Sequence, residues 1–175
     1  MDSATLRAKQ APLKEQYRSD ASSALVTLTA HGSLDSSSIS CKLSTGTAMA
    51  EAKVAGLHPA SGGDALSGEL CSGDMLLEAL VACAGVTLKA VATALEIPVA
   101  SGTVRAEADL DFRGTMGVDR SAPVGFQAIR VTFDLHTDAE QAKLDALLRL
   151  TERYCVVLQT IATKPDLSCT IIRST

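Results

Sequence analysis

The hydrophobic and polar positions of this chain recur with periods that predict its elements. Residues 24–30 are β-branched and roughly alternating, which predicts a strand. Residues 31–38 read as a polar turn, 39–44 as the return strand of a hairpin, and 47–54 as a third strand. A long Gly-containing loop runs from 56 to Ser72, and loops of that length inside a domain often carry function. A helix follows from Ser72 to about Leu95, capped by Ser72, with Asp74 in its positively polarised first turn, and stopped before Pro98. Leu76, Leu80, Cys83, Thr87, Val91 and Ala94 form one stripe on it. Leu77, Val81 and Leu88 lie off that stripe, so the helix is apolar nearly all round. Residues 104–112 and 126–135 alternate as half-buried strands do. Thr137-Asp138-Ala139-Glu140 has the form of a capping box that opens a second long helix. Its inward stripe is Leu144, Leu147, Leu148, Thr151, Cys155, Leu158 and Ala162, and Pro165 ends it. Residues 167–172 predict a last strand.

One-sided strands interleaved with two helices define an α+β class with antiparallel pairing. Residues 1–22 form a polar N-terminal arm, and 23–175 form one domain. A helix apolar on nearly every face needs more cover than one such domain supplies, which predicts a homodimer. Aromatic residues make up only 3% of the 175 residues and Trp is absent, so stacking surfaces for single-stranded nucleic acid are missing. The net charge of −4, with no basic block, excludes nucleic acid and anionic membrane as expected partners. The N-terminal residues are polar and charged rather than signal-like, and Glu78 and Lys89 interrupt the longest apolar stretch. The expected location is therefore cytoplasmic, with the apolar helix buried in the protein rather than in a membrane. Cysteines in that compartment stay free, catalytic or metal-binding.

The chain has five cysteines, and two of them fall within the long apolar helices: Cys83 and Cys155. Apolar surroundings fit a packed core thiol as well as a redox pair. A thiol of the second kind needs a lowered pKa to act as a nucleophile near neutral pH. Cys41 and Cys169 read as plain core or surface thiols, and Cys71 stands at the loop–helix junction. His58, Cys71 and Cys83 lack any Cys-x-x-Cys or His-x-x-x-His spacing, so no metal site and no cofactor is expected. Gly62-Gly63-Asp64 lacks the Gly-Lys-Ser/Thr ending of a phosphate loop and reads as a flexible turn.

Residues 72–83, Ser-Gly-Asp-Met-Leu-Leu-Glu-Ala-Leu-Val-Ala-Cys, resemble the acidic–apolar–Cys helix of the osmotically induced and organic-hydroperoxide-resistance proteins, the OsmC/Ohr family. Arg153-Tyr154-Cys155-Val156-Val157 is similar to that family's second-cysteine segment, which more often reads Cys-Pro. The resemblance spans roughly residues 24–172. It implies antiparallel sheets wrapped around two long central helices in an intertwined homodimer. It also implies a stress-response, antioxidant activity: a thiol peroxidase that reduces organic hydroperoxides and is itself reduced by an external dithiol. Cys83 would then be the attacking thiol, Cys155 the resolving one, and Asp74 the helix-start carboxylate. The family's peroxidases hold their thiolate with an Arg in the first hairpin, and residues 30–36 have none. Arg18, Arg7, Arg153 and His58 are the candidates for that cation. The alternative is a non-catalytic dimer of the same fold that binds a small hydrophobic ligand in an interface pocket.

Overall fold

The structure is a computed structural model that describes residues 2–5, 7, 8, 10, 11, 19, 31–34, 41–44, 54–63, 66, 68–117 and 119–173. The expected strand at 24–30, and most of the N-terminal arm, lie outside these residues.

The first described layer is a four-stranded sheet. Strands β1 (His31–Leu34), β2 (Cys41–Ser44), β3 (Val54–Gly56) and β4 (Leu70–Cys71) lie in that order. The first two pairings are antiparallel, and β3 with β4 is parallel. The expected turn at 31–38 begins instead with β1, whose His31 faces Ser44 in register. The long loop closes on a short 3-10 turn (Pro59–Ser61) whose N-cap is His58. Its last two residues, read as loop, become β4 because they pair with β3.

Helix α1 (Ser72–Ala94) follows directly. Its N-cap is Cys71, not Ser72, and no side chain caps it. It buries Leu80, Ala84, Leu88 and Ala92, a stripe rotated from the one the periodicity suggested. Leu88 faces the core, whereas Leu76 and Ala94 are exposed. The rotation follows small residues: Gly85 brings α1 close to Val104 of the neighbouring sheet, where an added Cβ would sit 3.4 Å from a Val104 methyl. The helix ends on Glu96 in the left-handed conformation (φ 57°). The N–H of buried Ile97 then returns to the carbonyl of Ala92 at 2.9 Å.

Strands β5 (Ser101–Asp109) and β6 (Ala128–His136) pair antiparallel over their full length, Ser101 opposite His136. Their half-buried residues, including Val104, Ala106, Val131 and Phe133, cover α1. Their outer face carries Arg130 paired with Asp109. Between them, α2 (Phe112–Thr115) is a single turn capped by Asp111, so Phe112 leaves the strand that the alternation assigned it to.

The second long helix is broken. It forms as α3 (Gln141–Tyr154) and α4 (Val156–Ala162), separated by Cys155 in an extended conformation (ψ 107°). The expected capping box does not form. Thr137 accepts from the Ala139 N–H and donates to the Pro98 carbonyl, while α3 starts at Gln141 behind Glu140. Leu147 and Thr151 of α3 are buried, Leu148 is exposed, and Ala162 is exposed. Residues 163–173 carry no strand and are exposed, contrary to the strand expected at 167–172.

One core cluster joins Leu88, Ala92, Ile97 and Leu147; the other joins Leu80, Ala84 and Cys155. Leu147 stitches α3 to α1 and is 1% exposed. Leu147→Ala therefore removes buried methyls from a site walled by two rigid helices, and a loss of about 3 kcal/mol in urea-unfolding stability is expected.

Candidate functional site

The site forms where α1 crosses the break between α3 and α4. Cys83, half-buried on α1, packs against fully buried Cys155. The cysteines are remote in sequence, and the fold makes them neighbours.

The break is built from local hydrogen bonds. Thr151 donates its hydroxyl to the Leu147 carbonyl at 2.8 Å, and the Cys155 N–H still bonds the Thr151 carbonyl at 2.9 Å. The helical ladder then stops. Gln159 reaches back across the break and donates its side-chain amide to the Glu152 carbonyl at 2.8 Å, satisfying one acceptor that the end of α3 leaves free. A new ladder starts with the Gln159 N–H on the Cys155 carbonyl at 2.9 Å. The first N–H groups of α4 are thereby freed from any helical partner.

Those N–H groups act on the Cys83 sulfur. Burial alone pushes the Cys83 thiol up, because a thiolate loses its hydration there. Against burial stand the Val157 N–H, the Cys155 thiol, the Thr87 hydroxyl one turn along α1, and the Val156 N–H. Together they outweigh it and bring Cys83 below an ordinary thiol. Cys155 moves the other way. Burial raises it first, and the negative sulfur of Cys83 that it donates to raises it further, against opposing N–H groups of Leu158 and Val157. The pair is asymmetric: its surroundings favour the thiolate at Cys83 and the thiol at Cys155.

None of the other described candidates, Asp74, Arg7, Arg153 and His58, is among the groups that shift the two thiols. Asp74 is exposed on the first turn of α1, about 14 Å along the axis from Cys83 at 1.5 Å per residue. Arg7 pairs with Glu96 at 3.4 Å, near the far end of α1, and both are exposed. Arg153 is exposed and lies over the Tyr154 ring at 5.8 Å. His58 accepts the Ala60 N–H at 3.0 Å and stacks on Phe112 at 4.9 Å. Arg18 lies outside the described residues. Among the described residues, the groups that most lower Cys83 are thus neutral donors rather than a cation. Sequence reading missed Thr87, Val156 and Val157 in this role. The spacing of Thr87 from Cys83, i to i+4 on a helix, was its one available signal. Cys71 is half-buried and Cys169 exposed, both as free thiols. No group of three or more His, Cys, Asp or Glu among the described residues is placed to hold a metal ion.

Residues 63–170 match the family model described as OsmC-like protein, and the chain belongs to that family. Solved structures agree in fold. An OsmC-like protein from Mycoplasma pneumoniae superposes with a TM-score of 0.63 at 14% identity, over 79% of this chain and 89% of that one. An OsmC-like protein of unknown function from Vibrio cholerae gives 0.59 at 13% identity, over 79% and 96%. A hypothetical protein from Aquifex aeolicus gives 0.59 at 16% identity, over 79% and 89%. Among curated proteins no sequence matches.

The asymmetry of the thiols has a pH signature. A lowered Cys83 ionises at a lower pH than an ordinary thiol. The rate of Cys83 alkylation by iodoacetamide should reach half its plateau at a lower pH than in the urea-unfolded protein. Replacing Cys155 with Ala removes a donor and should move the midpoint upward. Peptide mass spectrometry over a pH series reads both.

Proposed function

We propose that this protein is a thiol peroxidase that reduces organic hydroperoxides. The observation that carries the reading is the contact of two free thiols with opposite pKa shifts. The Cys83 thiolate attacks the outer peroxide oxygen. An S–O bond forms, the O–O bond breaks, and the alkoxide leaves as the alcohol after taking a proton from solvent. Cys83 is then a sulfenic acid. Cys155 attacks its sulfur, the hydroxyl leaves as water with the Cys155 proton, and a disulfide forms. An external dithiol reduces that disulfide and ends the cycle oxidised. The apolar walls around the pair, Leu80, Val157 and Leu158 among them, suit an alkyl peroxide better than hydrogen peroxide.

A homodimer belongs to the same proposal. α1 is long and apolar enough to cross a membrane by length and composition, and much of its apolar surface faces outward from the chain. Val86, one turn beyond Ala82, is 73% exposed. Exposed Tyr154 and Val156 flank the break on α3 and α4. A second copy laid on these apolar residues would bury them and close the mouth of Cys83. Free thiols kept reduced for turnover suit the cytoplasm.

A second reading has one observation in its favour. An apolar cavity of about 290 Å³ lies beside the cluster that encloses Cys155, lined by Leu80, Phe133 and Leu158. A protein built only to bind a small hydrophobic ligand would use that cavity and leave its thiols unreacted.

Consumption of cumene hydroperoxide by the reduced protein with dithiothreitol separates the two. Turnover is expected, with loss of at least about a thousandfold in Cys83→Ser, which removes the nucleophile. Cys155→Ser should keep the first oxidation and stall as a sulfenic acid that dimedone traps. Absence of any consumption by the wild-type protein, with unaltered thiols, contradicts the peroxidase reading.

A further inference from the structure

A break in a helix frees carbonyls as well as N–H groups. In an unbroken helix the Val156 N–H would bond the Glu152 carbonyl, and the Val157 N–H the Arg153 carbonyl, each four residues back. Neither bond forms here. α3 ends at Tyr154, Cys155 is extended, and the ladder resumes with the Gln159 N–H on the Cys155 carbonyl. The Glu152 carbonyl is occupied all the same, because the Gln159 side-chain amide donates to it at 2.8 Å. Gln159 thus stands on the acceptor that an unbroken helix would give to Val156.

This contact belongs to the broken form alone. In a continuous helix positions 152 and 159 lie about 10 Å apart along the axis, beyond the reach of a glutamine side chain. The bond closes only because α4 is turned against α3. Little else holds that turn. α4 has seven residues, too few for a helix to be stable by itself. Val157 and Leu158 pack on the cluster around Cys155, while Val156, Thr160, Ile161 and Ala162 are exposed. Among the described residues, Gln159 on Glu152 is the one side-chain hydrogen bond that joins α3 to α4.

Two donors therefore share two acceptors. The donors are the Val156 N–H and the Gln159 amide; the acceptors are the Glu152 carbonyl and the Cys83 sulfur. In the observed pairing Gln159 takes the carbonyl and Val156 is left to the sulfur. Without the amide, the Glu152 carbonyl competes for the Val156 N–H. Nothing in residues 152–159 forbids the helix that would result, since neither Pro nor Gly stands there.

We propose that Gln159 is a positioning residue for Cys83: its side-chain amide occupies the Glu152 carbonyl, holds α4 turned against α3, and so leaves the Val156 and Val157 N–H groups facing the Cys83 sulfur. This role rests on Cys83 being the acidic thiol of the pair and does not require its reaction with peroxides.

Gln159→Met tests it, because methionine keeps the length and helix propensity of glutamine and donates no hydrogen bond. Gln159 is exposed, so the variant keeps the fold, which urea unfolding checks. The pH midpoint of Cys83 alkylation by iodoacetamide, read on its own peptide, should rise by at least about 0.5 pH unit over that of the wild-type protein, since the thiolate loses donors. Thr160→Ala, at the exposed neighbouring position on α4, should leave the midpoint in place. A wild-type midpoint below that of the urea-unfolded protein, unmoved by Gln159→Met, overturns the role of Gln159 alone. Equal rises in Gln159→Met and Thr160→Ala overturn it too, because α4 then answers to any substitution. A wild-type midpoint no lower than that of the unfolded protein overturns the acidic thiol and this role together.

Discussion

A buried thiol carries charge only when donors replace the water it has lost. That constraint governs the site of this OsmC-like chain. Burial alone works against ionisation of Cys83, and nothing on its own helix except Thr87 helps. The donors come from a helix that stops and starts again. Because α3 ends at Tyr154 and α4 begins at Val156, the Val156 and Val157 N–H groups have no carbonyl in their own ladder and turn to the sulfur. The same break puts Cys155, whose thiol burial pushes up, beside Cys83.

The rest of the fold serves that crossing. Leu80, Ala84 and Leu88 hold α1 against its neighbours, and the pair β5–β6 backs the helices from one side. Leu147 fixes α3 on α1 one turn before Thr151, whose hydroxyl stays within its own helix. Gln159 bridges the break from the other side. The two cysteines are held by packing.

The pattern of the chain showed much of this and hid the decisive part. Strict alternation at Val104, Ala106 and Ala108, and at Val131, Phe133 and Leu135, located β5 and β6 to within a few residues. The α+β class and the family followed from element order and the two cysteine segments. The stripe on α1 was misplaced because a helix rich in Ala and Leu on all sides gives no contrast from which to read a face. The break at Cys155 was hidden because Leu144, Leu147, Thr151, Cys155 and Leu158 keep helical spacing straight through it. A proline after the cysteine would have marked it, since proline favours the first position of a helix. Here Val156 stands there and the signal is gone. The candidates for a cation were drawn from charge alone. Charge does not say that Arg7 is spent on Glu96, or that His58 is stacked on Phe112. The C-terminal run at 167–172 was read as a strand, and the structure leaves it exposed and without strand pairing to the described residues.

The proposed cycle requires two sulfurs that meet and react with one another. Its most direct test is a disulfide map of the fully reduced protein after one equivalent of cumene hydroperoxide, digested under acid and sequenced by mass spectrometry. The expected product is a single linkage joining the Cys83 and Cys155 peptides, with Cys71 and Cys169 still free. Cys83 over-oxidised to sulfinic acid with Cys155 untouched, or Cys83 joined to another cysteine, would contradict it.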